Sequence, residues 1–256
     1  GDLGYTLIGE KPISSSNIAD NCLLVPSRIA KKCISSLQET FKISDTYIFK
    51  VLGPIEDGHI ELIHKPSVRE VVSKNASLRN FIRERFKTTE SFFSYMEDES
   101  TSIFDFDAYF RGILFGYGEE NSKHFCRYIE LGVFLKKHPF IRVFPMMWAP
   151  FRQPDFPEQI LYPYMVKIPK VGDGFESLEE EWEWLQSLDI DFATMRKERV
   201  AKPPCYIDMP IYRSKKCVES EALHKKYVIA KAKIANLFSK TRYQEAVEER
   251  VKTVRR

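Results

Sequence analysis

SIFDFDAYFRGILFGYGEENSKHFCRYIELGVFLKKH, residues 102–138, decides the reading of this chain. In its first half Ile103, Phe106, Phe110, Ile113 and Tyr117 recur at steps of three or four, the period that puts side chains on one helix face. Phe104, Leu114 and Phe115 widen that face until little of the segment is polar, which predicts a core helix. Ser102 with Asp105 three residues on predicts an N-terminal cap. Gly116-Tyr117-Gly118 predicts the stop, because glycine takes the left-handed conformation that ends helices. Glu119, Glu120 and Asn121 then suit the positive end of a second helix. That helix carries Phe125, Ile129, Val133 and Phe134, and closes with Lys136, Lys137 and His138 before Pro139. Two helices back to back, a central αα-hairpin, are therefore expected. Glycines before a helix start also invite a phosphate cradle. No Gly-Lys-Ser/Thr follows and no strand precedes, so two helix ends meeting at glycines is the preferred reading.

Outward from the hairpin, the segments before it mix strands and short helices. Gly4 to Gly9 reads as a short β-like run bounded by glycines, and Ser14 to Asn17 as a polar loop. Pro26-Ser27 opens a helix to about Thr40, with Ile29, Cys33, Leu37 and Phe41 on one face. Residues 46–52 and 59–64 predict two paired strands joined by a loop containing Asp57-Gly58. His59 and His64 lie five apart, hence on opposite strand faces, and read as solvated strand ends rather than as a metal site. Pro66 to Lys74, Ala76 to Phe86 and Glu90 to Met96 predict three short helices. The second carries Arg79, Arg83 and Arg85 on a solvated face.

Beyond the hairpin the composition changes. Seven of the chain's 14 prolines fall between Pro139 and Pro169, interleaved with aromatic side chains. Proline at that density excludes a helix and most interior strands. Rings on irregular backbone either plug a core or form a recognition surface. Trp148, Phe151, Arg152, Tyr162 and Tyr164 are the candidate partner-binding residues. Asp173 to Asp191 holds eight carboxylates and no Lys or Arg, with Phe175, Leu178, Trp182, Leu185 and Leu188 as an apolar stripe. From Val218 to Val254 neither proline nor glycine occurs, and one helix of that length would span about 55 Å. Its packing face is expected to run through Ala222, Ile229, Ala232 and Leu237. The last 44 residues hold 13 basic and 5 acidic side chains, so acidic and basic helices are expected to attract, within or between chains.

At 256 residues, 43% hydrophobic and 29% charged, the composition is that of a globular protein able to bury a core unaided. A net charge of +3 makes nucleic acid an unexpected partner, and no apolar run reaches the ~20 residues of a membrane span. Five cysteines without a CxxC pair predict free thiols, neither a disulfide framework nor a zinc site. The first residue is Gly1, not Met, which reads as a processed or trimmed product or a tag scar; export with an N-terminal signal removed is one such reading, and the compartment stays open.

The stretch Arg111-Gly-Ile-Leu-Phe-Gly-Tyr-Gly-Glu-Glu-Asn121, with Phe125, Arg127 and Glu130, is similar to a pattern in an uncharacterised protein family of chlamydia-like intracellular bacteria. The opening Gly4 to Pro12 resembles that family's N-terminal pattern too. The resemblance implies a bacterial protein, and it implies no activity and no site residue.

The expected class is α+β, mainly α: a central αα-hairpin, a small antiparallel sheet and a long C-terminal helix. Residues 1–215 would form one domain, with 216–256 packed on it or reaching a partner. The expected function is a non-catalytic protein–protein interaction, with no cofactor and no metal site. Homo-oligomers would form through the acidic and basic helices. The alternative is an enzyme whose site is assembled from distant residues, with His124, Cys126, Arg127 and Glu130 as candidate groups. There Cys126 and Glu130 share a helix face at i, i+4.

Overall fold

The computed structural model describes residues 3–18, 27–54, 58–135, 169–187 and 218–240. They form a mainly helical α+β fold around a three-stranded antiparallel sheet of order β1-β3-β2. The strands are β1 (Ile13–Asn17), β2 (Tyr47–Leu52) and β3 (His59–His64). β2 and β3 are the expected pair, in register with Tyr47 opposite His64 and Leu52 opposite His59.

β1 corrects the expected polar loop. Ser14, Ser15 and Ser16 are poor strand formers, but β3 offers a free ladder edge, and Ile13 pairs opposite Ile63. Backbone pairing here outweighs side-chain propensity. A second correction falls just before it. Leu3–Leu7 is a short helix, α1, not a β-like run. Tyr5 and Leu7 are both buried, and Thr6 Oγ1 shares a 2.6 Å hydrogen bond with Ser14 Oγ of β1.

Both faces of the sheet are covered. On one, α1 and α2 (Ser27–Lys42) pack Leu7 and Phe41 against Tyr47 and Leu62. Ile34 of α2 meets Ile18 and Ile60 on the same side. Cys33, expected to face inward, is exposed, and the buried positions are Ile34 and Phe41. On the other face Ile13, Ile48 and Ile63 join the largest core, supplied by helices α3 (Lys65–Lys74), α4 (Ala76–Phe86) and α5 (Thr89–Glu97). These three helices follow their sequence signals closely. Pro66 stands in the first turn of α3, Asn75 ends α3 and caps α4, and Thr88 accepts from the Ser91 backbone N–H to start α5. Phe92, Phe93, Met96 and Phe106 fill the interior between them, with edge-on and tilted ring contacts.

The central segment is a helical hairpin with one break the periodicity hides. Ser102 and Asp105 do form a reciprocal capping box, but it opens a 3-10 turn, Ile103–Asp105. The chain then restarts at Asp107, whose side chain accepts from the Tyr109 backbone N–H at 2.8 Å and opens α6 (Ala108–Leu114). Two aspartates two residues apart favour caps over a helix interior. α7 (Glu119–Leu135) returns along α6 after Gly116-Tyr117-Gly118. At Gly112 the helices come so close that a Cβ would sit 2.5 Å from Ser122 Oγ.

Two further helices lie against α7. The acidic α8 (Leu178–Ser187) buries Trp182 and Leu185 with Tyr128 and Leu131 of α7, the Tyr128 and Trp182 rings stacked at 4.7 Å. The C-terminal α9 (Val218–Lys240) packs Tyr227, Ala230 and Ile234 on Tyr5 of α1. The part of the expected C-terminal helix beyond Lys240 lies outside the described residues.

Candidate functional site

The Gly116-Tyr117-Gly118 loop does cradle an anion, and the anion belongs to the chain itself. Gly116 and Gly118 hold φ of 75° and 87°, which turns the backbone sharply into α7. The first N–H groups of a helix have no partner within it and sit at its positive end. Glu119 N–H donates to Glu219 Oε1 at 2.7 Å, and Asn121 N–H donates to Oε2 at 2.9 Å. Glu219 lies in the first turn of α9, and its carboxylate fills the place a phosphate would take. A Cβ on Gly118 would stand 2.2 Å from Glu219 Cδ. Two more bonds fasten the same turn: Ser220 Oγ donates to Asn121 Oδ1 at 2.8 Å, and Tyr227 OH donates to Gly116 O at 2.7 Å.

These polar contacts fix which way α9 faces. Ser220, Tyr227, Ala230 and Ile234 turn inward. The stripe expected to pack therefore turns outward: Ala222 and Ala232 are exposed, and Ile229 is 59% exposed. The two faces lie on opposite sides of the helix at 100° per residue. Hydrophobicity alone points to the wrong face, because the inner one is held by a carboxylate, a hydroxyl and a phenol. Val218 and Ile229 with Ala222 form an apolar outer ridge flanked by exposed Lys225, Lys226 and Lys233. Lys233 Nζ donates to Glu10 Oε1 at 2.7 Å.

Of the groups named as catalytic candidates, Arg127 joins α7 to α8. The Arg127 guanidinium grips Glu181 of α8 through both carboxylate oxygens, at 2.5 and 2.6 Å, and reaches Glu130 Oε2 at 2.7 Å. It also donates to Lys170 O. Glu181 Oε2 accepts a further bond from Gly172 N–H at 2.9 Å. Burial alone would raise the Glu181 carboxyl, but the bonds from Arg127 and Gly172 hold it below the ordinary carboxylate range. Burial pushes the Cys126 thiol up to about 12, so it is no thiolate nucleophile at neutral pH. Burial likewise lowers His124, whose ring meets Trp184 edge-on at 5.3 Å.

A pH dependence follows from Glu181. Its folded-state value is depressed, so the unfolded chain binds the extra proton first as pH falls. Its stabilisation is present above the ordinary carboxylate value and is lost as pH drops through the folded one. Arg127→Met is expected to flatten the acid limb of a urea-midpoint-versus-pH curve below the ordinary carboxylate value. An unchanged slope there would show that this pair does not couple to folding.

A buried pair of opposite charges lies elsewhere, on the sheet face beneath the 3-10 turn. Glu61 of β3 is fully buried opposite Lys50 of β2. Its Oε1 accepts from Ser102 Oγ at 2.6 Å and from Ile103 N–H at 3.1 Å. Lys50 Nζ lies 3.7 Å from Oε2 and donates to Thr101 O at 2.7 Å. Burial, opposed by Glu61, keeps the Lys50 ammonium below the ordinary lysine value. His59, expected at a solvated strand end, is buried beside Glu61, with Nε2 3.4 Å from Oε1. His64 instead caps α3, accepting from Ser67 N–H.

Trp148, Phe151, Arg152, Tyr162 and Tyr164 lie outside the described residues. Among the described residues, no group of three or more His, Cys, Asp and Glu side chains is placed to hold a metal ion. No described helix is long and apolar enough to cross a membrane. No protein-family model, curated protein or solved structure matches the chain.

Proposed function

We propose that this chain is a non-catalytic protein-interaction protein. Its contact surfaces would be the outer ridge of α9 and the aromatic segment with Trp148, Phe151, Arg152, Tyr162 and Tyr164. The observation that carries this reading is the double-sided build of α9. One side is fastened to the body by Glu219, Ser220 and Tyr227, so the other presents Ile229 and Val218 to the outside in a fixed orientation. A preorganised apolar ridge bordered by charge is suited to forming the centre of an interface. The engagement of Arg127 by Glu181 of α8 and by Glu130 of its own helix, and the burial that raises the Cys126 thiol, add to this reading by counting against the enzyme candidates.

The test separates surface from core. Ile229→Asp replaces an exposed side chain and is expected to shift the thermal midpoint by no more than about 2 °C. It should weaken partner capture at least about tenfold, the loss expected when a central apolar contact is replaced by a carboxylate. Trp148→Ala with Tyr162→Ala should do the same through the second surface. Capture that survives both sets of substitutions would sink the proposal.

A further inference from the structure

The described residues include a surface that opposes the α9 ridge in charge. α8 is bound to α7 through Trp182, Leu185 and Glu181, which points its other face away from the body. That face bears exposed Glu179, Glu180 and Glu183, with exposed Glu176 just before the helix. Glu176, Glu179, Glu180 and Glu183 follow one another at steps of three, one and three, so they line one stripe at helical spacing. Trp184, 39% exposed, flanks it. There is no Lys or Arg from Asp173 to Ser187. The α9 ridge is the reverse: Val218, Ala222 and Ile229 along the spine, with Lys225, Lys226 and Lys233 on its borders.

Among the described residues the two helices are not paired with each other: Glu181 of α8 is held by Arg127 of α7, Lys233 by Glu10, and Lys226 stands near Glu10 and Glu70. We infer that the outer ridge of α9 docks on the acidic face of α8 in a second copy of this chain. A two-fold pair uses the contact twice, α9 of each protomer on α8 of its partner. The apolar spine and Trp184 supply burial, and the opposed charges set register and exclude the like-charged pairing of α8 with α8. This inference rests on the interaction reading above and names its partner.

Light scattering on a sizing column, with the whole chain, tests it. The parent is expected to run at twice its 30.0 kDa mass and to dissociate as salt rises from about 0.05 to 0.5 M. Glu179→Lys with Glu183→Lys should give a monomer, and so should Lys225→Glu with Lys226→Glu. Mixed in equal amounts, these two variants should recover the dimer, because each reversed helix then meets a reversed partner. Recovery cannot come from misfolded chains, and this keeps the test sharp even if one variant is less stable. A parent that is monomeric at all concentrations, or a dimer indifferent to both reversals, or variants that fail to recombine, would overturn the inference. Sedimentation of a monomeric parent with phosphatidylserine vesicles, abolished only by the lysine reversals, would overturn it in favour of a membrane surface. A monomer whose partner capture is still lost in Ile229→Asp would reject the second copy as occupant and leave the interaction reading standing.

Discussion

Lys50→Met is expected to destabilise the fold by about 3–5 kcal/mol, the cost of leaving one partner of a buried ion pair without the other. In a chain of this size that corresponds to a thermal midpoint lower by roughly 10 °C. Lys50 is 5% and Glu61 0% exposed, so water does not screen the charge that remains. Ser102 and Ile103 serve only Oε1 of Glu61, and Lys50 is the cation nearest Oε2. Removing it also strips Thr101 O and Asp98 O of the donor that pins the end of α5 to the sheet. Adding Glu61→Gln should recover more than half of the loss. An amide keeps an acceptor for Ser102 and Ile103 while carrying no charge to desolvate. Urea midpoints at constant slope measure both values. If Lys50→Met proves no worse than a surface substitution, the pair is not what holds this corner. If the double variant is worse than the single, the carboxylate is held by something other than charge balance.

The same corner shows where the sequence is legible and where it is not. Alternation in His59 to His64 correctly marks a strand, and the periodic stretches from Pro66, Ala76 and Glu90 mark three helices, because each signal acts within a few residues. Nothing local says that Glu61 is buried. That depends on Lys50 across the ladder and on Ser102, 41 residues away, arriving above it. α1 and β1 fail for a related reason. Tyr5 and Leu7 look β-forming in isolation and three serines look like loop, but burial against α9 and the sheet edge decides both. The candidate interaction face was legible as a stripe and misassigned as to side. Ala222 and Ile229 do form an apolar ridge, and its outward orientation is set by Glu219, which bonds a residue 100 positions earlier. Glutamate and serine in the first turn of a long helix, with tyrosine seven residues after the serine on the same face, was the only trace of it.

The fastening itself yields the second large effect. Gly118→Ala is expected to destabilise by about 2–4 kcal/mol, from two sources that can be separated. At φ 87° any Cβ meets the backbone, which costs about 1–2 kcal/mol. The new methyl would also overlap Glu219 Cδ, 2.2 Å away, and push the carboxylate off the two N–H groups it accepts from. Losing a side-chain cap of this kind costs about another 1–2 kcal/mol. In a Glu219→Ala background the second source is already gone, so Gly118→Ala should cost only the first. The cycle should then close with a coupling of about 1 kcal/mol or more. Amide exchange in α9 should rise in Gly118→Ala and in Glu219→Ala alike, since either change unfastens the same turn. Simple additivity would mean that the carboxylate does not occupy the cradle in solution. The orientation of the α9 ridge would then rest on Tyr227 and Ile234 alone, and Ile229 would lose the fixed geometry on which its role as an interface centre depends.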